Sequence, residues 1–340
     1  QPEAVTEPGF QMSFAATTSL IALAEVWPRP AREIQVPWPI RAVQGAAVWL
    51  GASLAASAVA GLATAPFAIQ HFNRVSTFGL AANLAVAPIS SFLMMPALAI
   101  GAVLTPFGLS ELPLAAAGTA IEAMTEVARW AASLPNATLL IASAPAAALP
   151  TAFLGILWLC LWRGAGRWLG APLALAVSLW PRPPAPDVWA AADGAAVAVR
   201  VERSALLLRP EAKRFAAEAW AQHRGLKLPT DEVADRDTLF ACNRWGCEGR
   251  ATANRIVADW SRKPPPPPRL QSMCAQSSLV ILRSAIDRAE CQGPLVLDAT
   301  DFRRSGAVEL YRTQAGWRVI RAQDQRGVRP WTASISGSGE

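Results

Sequence analysis

Two histidines, five cysteines and scattered aspartates are the residues of this 340-residue chain with the chemistry for metal binding or nucleophilic attack. A paired-metal centre that hydrolyses phosphodiesters needs His and Asp grouped as H-x-H-x-D-H, because two metals must activate a water and brace the leaving oxygen. His71 lies in QHFNR and His223 in AQHRG, and neither motif holds a second histidine. No such centre can be assembled, so the expectation is a chain that is not an enzyme and carries no metal or cofactor. Asp193, Asp298 and Asp301 fall near predicted strand ends, where a metal could sit. Aspartates that close turns and cap helices explain them more simply.

Cys160 lies in an apolar run, whereas Cys242, Cys247, Cys274 and Cys291 lie in the polar half. The Cys242-Asn-Arg-Trp-Gly-Cys247 spacing is looser than a zinc knuckle, and the other two cysteines have none. Disulfides, buried thiols and zinc remain open, with disulfides weighed first if the compartment is oxidising. Arg303, Arg304, Arg318 and Arg321 are candidates for contact with DNA, together with Arg326 and Arg329 near Trp317 and Trp331, since arginine and tryptophan suit single strands. Against this stands a solvated surface, because acids intersperse the bases and no continuous basic stripe is visible.

The elements that must position these residues divide between two solvents. Residues 1–181 hold 7 Lys+Arg against 7 Asp+Glu and residues 182–340 hold 24 against 18, so the whole formal charge of +6 belongs to the second part. Uncharged runs cover Pro8–Ala24, Ala42–Asn73, Val75–Ser110, Trp130–Trp162 and, more briefly, Trp168–Pro181. The middle three exceed the ~20 residues that cross hydrocarbon. Trp27, Trp38, Trp162, Trp168 and Trp180 fall near run ends, where indoles favour the membrane interface. Ala42–Ile69 is rich in Ala, Gly and Ser and reads as buried in a helix bundle. Glu122, Glu126 and Arg129 share one face of a predicted amphipathic helix, read as an ordinary packed helix before an in-plane one.

The stretch GLAANLAVAPISSFLMMP, Gly79 to Pro96, is apolar yet keeps an amide, two prolines and paired serines. Hydrocarbon offers no partner to any of these, so the stretch should face protein or water. Asn83, Pro88, Ser90 and Ser91 are therefore the candidates for lining a conduit.

PRPPAP marks the boundary, giving a membrane domain at 1–181, a linker at 182–187, a soluble domain at 188–332 and a disordered tail at 333–340. VWAAADGAAVAVRVERSALLLR reads as strands around turns, Pro210–Gly225 as a helix, and SSLVILRS, PLVLDATDF, AVELYRT and GWRVIRAQ as further strands of a small α/β domain. RKPPPPPRL reads as an exposed polyproline loop. Glu3 and Glu7 stand where a signal peptide would be basic, and the chain starts at Gln1, so a longer protein with an upstream portion is expected.

GFQMSFAATTSLIAL, followed by APFAIQHFNRVSTFGLAANLAVAPISSFLMMPALAIG at Ala65 to Gly101, resembles the transmembrane competence domain of the ComEC family of DNA-internalisation proteins. The more specific block is the second: a proline-ended helix, a short aromatic polar loop, then Gly-Leu-x-x-Asn-Leu ending in Pro and Ser. AADGAAVAVRVERSALLL and VLDATDFRRSGAVELYRT are similar to strands of the metallo-β-lactamase-like domain that usually follows, in the shortened, cysteine-bearing form of alphaproteobacterial members. The fold expected is thus a polytopic α-helical membrane domain followed by a small soluble α/β domain resembling a degenerate metallo-β-lactamase fold.

The resemblance implies an inner-membrane channel component for single-stranded DNA during competence. Its implied partners are the DNA, membrane lipid, other uptake machinery and, as a possibility of the family, further copies of itself. No Walker A motif appears, so an energy-supplying partner is expected. The rival readings are a small-molecule secondary transporter and a membrane-tethered hydrolase of the metallo-β-lactamase class. For topology, the basic groups Arg29, Arg32, Arg41 and Arg163, Arg167 are both expected in the cytoplasm. That places the second domain in the periplasm if Val75–Ser110 is broken and re-entrant and if Trp168–Pro181 crosses alone.

Overall fold

The computed structural model describes residues 2–27, 37–229, 232–250 and 255–327. Arg29, Arg32, Arg329, Trp331 and the tail at 333–340 lie outside the described residues. The chain divides into two compact units, Gln1–Arg182 and Pro183–Glu340.

In the first unit, α1 (Pro8–Val26) packs against α2 (Trp38–Phe72). α2 stops at Asn73, which takes the left-handed conformation at φ 57° and returns its amide to the Ile69 carbonyl. Asparagine is the residue after glycine that tolerates this geometry best. β1 (Arg74–Ser76) then pairs antiparallel with β2 (Thr138–Leu140). Between the two strands stands a helical hairpin. Its first arm is one helical segment, Gly79–Phe107, made of α3 (Gly79–Ile89), a π turn at Ser90–Met94 and α4 (Met95–Leu104). Its second arm, α5 (Glu111–Ser133), packs along α3, the π turn and α4.

The run Val75–Ser110 is therefore not broken: Gly79–Phe107 is one continuous helical segment. Proline lacks an N–H and its ring crowds the carbonyl four residues back. The π turn admits Pro96 by inserting a residue, so that the Met95 amide bonds Ser90, five residues back. The hairpin's return comes from α5, whose face carries the exposed pair Glu126–Arg129.

Trp130–Trp162 is likewise not one span: it holds the end of α5, β2, an irregular stretch and the 14-residue α6 (Ala148–Leu161). Trp168–Pro181 is split between a 3-10 turn and two short helices, α7 (Gly170–Ala174) and α8 (Ala176–Leu179). Among the described residues, two helices are long and apolar enough to cross a membrane, Trp38–Phe72 and Gly79–Phe107. Only 6% and 11% of their most apolar windows are fully buried, and the small residues of α2 are exposed from Ala42 to Gly51 and mostly half-buried from Ala52 to Ala68, so the bundle expected around this helix is only partly present among the described residues.

The second unit is a four-layer sandwich. One sheet runs in the order β12 (Gly316–Arg321), β11 (Val308–Thr313), β3 (Val188–Ala190), β4 (Val197–Val201), β5 (Ser204–Leu207), antiparallel throughout. The other runs β10 (Leu295–Leu297), β9 (Leu279–Leu282), β8 (Ile256–Asp259), β7 (Gly246–Gly249), β6 (Phe240–Cys242), with β8, β9 and β10 parallel.

Side chains alternate across each strand. Val188, Val197, Val199, Leu206 and Leu310 face Ile256, Ala258, Leu279 and Ile281 between the sheets. Trp189, Ala198 and Leu207 pack outward under α9 (Arg214–His223), and Val257, Val280 and Val296 under α11 (Pro267–Gln276). Burial on both faces explains why these strands read as apolar runs. α10 (Glu232–Leu239), α12 (Ala299–Ser305) and α13 (Ala322–Arg326) complete the unit. The proline run is not only a loop: Pro267 opens α11, where a missing N–H is tolerated.

In the first unit α6 and α7 meet backbone to backbone. A Cβ on Gly170 would lie 2.6 Å from the Gly155 carbonyl oxygen, and one on Gly155 would overlap the Ala174 amide. Gly155→Leu should destabilise the unit by about 1–3 kcal/mol or more. Thermal melting in detergent should show a lowered midpoint, and an unchanged one would contradict this packing.

Candidate conduit helix and nucleic-acid interface

Asn83, Pro88 and Ser91 are exposed and Ser90 is half-buried. Asn83 and Ser90 stand seven residues apart and so on one helix face. No described residue hydrogen-bonds the side chain of Asn83, Ser90 or Ser91. An amide left in hydrocarbon without a partner is costly, so this face requires water or further protein against it. Phe92 in the π turn meets Trp49 of α2 with ring centroids 5.6 Å apart, which anchors the irregular turn from one side.

A polar hub that the sequence reading passed over lies where α2 ends. Gln70 holds Ala144 from both sides, its Nε2 donating to the Ala144 carbonyl and its Oε1 accepting from the Ala144 amide, each at 3.0 Å. Buried Asn73 donates through Nδ2 to the Ile141 carbonyl at 3.1 Å and to Ser143 Oγ at 2.7 Å. His71 Nε2 meets Gln11 Oε1 at 2.9 Å, linking α2 to α1. These side chains supply partners to the extended residues after β2, which no helix ladder can satisfy. QHFNR was visible as a polar island in an apolar run, and that contrast was the available signal.

In the second unit the aspartates serve the backbone. Asp298 is buried and caps α12, accepting from the Thr300 and Asp301 amides, while Asp301 returns a bond to the Asp298 amide and pairs with Arg288. Asp193 closes a turn onto the Ala195 amide at 3.2 Å. Buried Asp259 lies 3.2 Å from Arg269 and accepts from the Ser261 amide. Among the described residues no three His, Cys, Asp or Glu side chains are grouped to hold a metal ion. Cys242 and Cys247 are cross-strand partners in β6 and β7 and form a disulfide. Cys274 of α11 forms a second one with Cys291, beside the turn Arg288–Glu290. Cys160 remains a thiol, 3.5 Å from Ser19 Oγ.

Of the four arginines named as candidates, Arg318 and Arg321 both line one groove on the α9 side of β12. Two cavities of about 360 and 380 Å³ share His223, Arg224 and Glu309 there; Arg321 lines the first and Arg318 the second. Glu309 is the floor of the groove, accepting from Trp220 Nε1 at 2.8 Å, from Arg224 and from the Tyr311 hydroxyl at 3.3 Å. Arg318 stacks its guanidinium 4.9 Å from the Tyr311 ring centre. Arg303 and Arg304 are exposed on the last turn of α12 and line neither cavity. Trp317 is partly buried against the inter-sheet core under Arg312, so it acts there as a packing residue.

The family model described as competence protein matches residues 1–166. The match covers just under half of the chain, and the first unit is similar to the competence protein family over that segment. No curated protein and no solved structure matches the chain. The competence match contains the Gln70–Asn73 hub, the hairpin and the π turn, and it ends before the sandwich begins. Both features of the quoted block thus fall in the competence segment: QHFNR forms the hub and the Gly79–Pro96 stretch forms the conduit candidate.

Tyr311 is the chain's single tyrosine. Burial first, then the Glu309 charge, hold its phenol above the ordinary value of 10.0, with Arg224 opposing. The folded state thus favours the neutral phenol, and the stability this contributes is present below pH 10 and lost as pH rises through the raised value. Absorbance titration of phenolate in the full chain should give a midpoint above 10, and Glu309→Gln should move it back down. A parent midpoint at 10 would mean that Tyr311 does not sit in this network.

Proposed function

We propose that the competence domain forms, or helps to form, a conduit that passes single-stranded DNA across the inner membrane during uptake. The observation that carries this reading is the set of unpartnered polar side chains, Asn83 in α3 with Ser90 and Ser91 opening the π turn, in a helix otherwise apolar enough to cross a bilayer. π turns recur at functional sites, and a helix facing only lipid gains nothing from such side chains. The barely buried apolar sides of α2 and of Gly79–Phe107 would be covered by lipid, by further copies or by other segments of the uptake machinery. An energy-supplying partner would drive the strand. Asn83→Leu should insert normally and reduce protection of labelled incoming DNA several-fold, compared with complete loss in a strain lacking the gene. Normal internalisation in that strain would sink the conduit reading, and loss of solute transport instead would favour a secondary transporter.

The second unit is read as a non-catalytic relict of a metallo-β-lactamase fold. The four-layer order and the use of Asp298 and Asp301 as a helix cap support this reading. Arg318 and Arg321 in the groove are its candidates for phosphate contact, with Arg303 and Arg304 exposed nearby in sequence.

We place this unit in the periplasm. Arg163 and Arg167 line the same cavity as Glu25 and Val26, so this basic segment shares one end of the first unit with the end of α1, where the other basic loop begins. Ala176 and Val177 pack with Ile69 and Ala148, at the β1–β2 end of α2. If the basic end is cytoplasmic, α7 and α8 bring the chain to the opposite side before Pro183. Two disulfides suit an oxidising compartment. A reporter fused after Glu340 should be active outside, and alkylation of intact cells should find Cys242, Cys247, Cys274 and Cys291 blocked until reduced. A cytoplasmic reporter with four free thiols would overturn the orientation.

A further inference from the structure

The Cys242–Cys247 disulfide closes a loop of four residues, Asn243 to Gly246, and the residues it presents are Arg244 and Trp245. Trp245 keeps 46% of its surface exposed, while Phe240 of β6 and Cys247 of β7 turn into the core. The loop is held at every point. Asn243 Oδ1 accepts from the Trp245 and Gly246 amides at 2.8 and 3.0 Å. Trp260 bonds the loop twice, through Nε1 to the Arg244 carbonyl and through its amide to the Trp245 carbonyl, both at 2.9 Å. A large apolar side chain is therefore displayed on rigid backbone, with the Arg244 guanidinium over its ring, 4.6 Å from the centre.

At the foot of the loop is a polar cavity of about 180 Å³ lined by Arg209, Arg236, Arg244 and Asn243, with Glu211 the acid in its wall. Arg209 is shared between Glu211 and the Trp260 ring, and Arg236 pairs with Asp237. Arg244 has no carboxylate partner among the described residues. The cavity has room for a phosphate and a few waters rather than for a nucleoside. A protein-binding hot spot would be ringed by neutral contacts that exclude water. Here the indole is covered by the Arg244 guanidinium, and Arg244 also lines the polar recess.

We propose that Trp245 is a stacking platform for a base of single-stranded nucleic acid, with Arg244 and the recess beneath it receiving the adjoining phosphate. Indole stacking supplies affinity without sequence preference, and the guanidiniums supply the salt-dependent part. This assignment rests on the reading of the chain as a handler of single strands. It concerns a face of the sandwich different from the Arg318–Arg321 groove.

The test is fluorescence anisotropy with the full chain in lipid nanodiscs, using a labelled oligodeoxythymidine and a labelled abasic strand of equal length. The parent chain should hold the base-bearing strand more tightly than the abasic one. Trp245→Ala should weaken the base-bearing strand about tenfold and leave the abasic strand unchanged, and Trp245→Phe should retain most of the affinity. Equal losses on both strands, or no loss on either, would overturn the stacking site. So would failure of the parent chain to bind either strand, an outcome that leaves the conduit reading to the uptake measurement.

Discussion

Backbone polar groups inside the first unit must find partners without water, and the arrangement of that unit follows from this constraint. α2 ends at Asn73, and the chain between α5 and α6 runs extended for residues 138–144. Helix ladders cannot reach those groups. Gln70 and Asn73 bond to Ala144 and Ile141, and β1 bonds to β2. Once that junction is closed, the hairpin is fixed at its base and α6 is aimed back along α2, where Ala148 and Ile156 pack against Ile69, Ala63 and Phe67. The π turn answers the same constraint in another way, by a wider turn that keeps the helix running past Pro96.

The second unit is governed by burial instead. The central strands β3, β8 and β9 are covered on both faces and so carry apolar residues in succession, which leaves strand ends and turns as places for carboxylates. That is where Asp193, Asp259 and Asp298 are found, engaged respectively by a turn, by an arginine and by a helix cap. The Glu309 network, with Trp220, Arg224 and Tyr311 around one carboxylate, is the same economy under α9 and shapes the groove that Arg318 and Arg321 border.

Local pattern in the sequence determined the division at PRPPAP, the apolar runs, the strands from Val188 to Leu207 and from Leu279 to Arg321, the absence of a grouped histidine motif, and the family resemblance of Ala65–Gly101. These depend on neighbours along the chain, so they are legible without a fold. Tertiary structure alone decided the rest. A proline in an apolar run signals either a break or a wider turn, and only packing against α5 and Trp49 selected the π turn. The hairpin at Cys242–Cys247 escaped the strand reading because FAC and GCEG are too short to show a period. The pairing of cysteines, and the meeting of Gln70 with Ala144 across 74 residues, rest on distances that close only when the whole unit is packed.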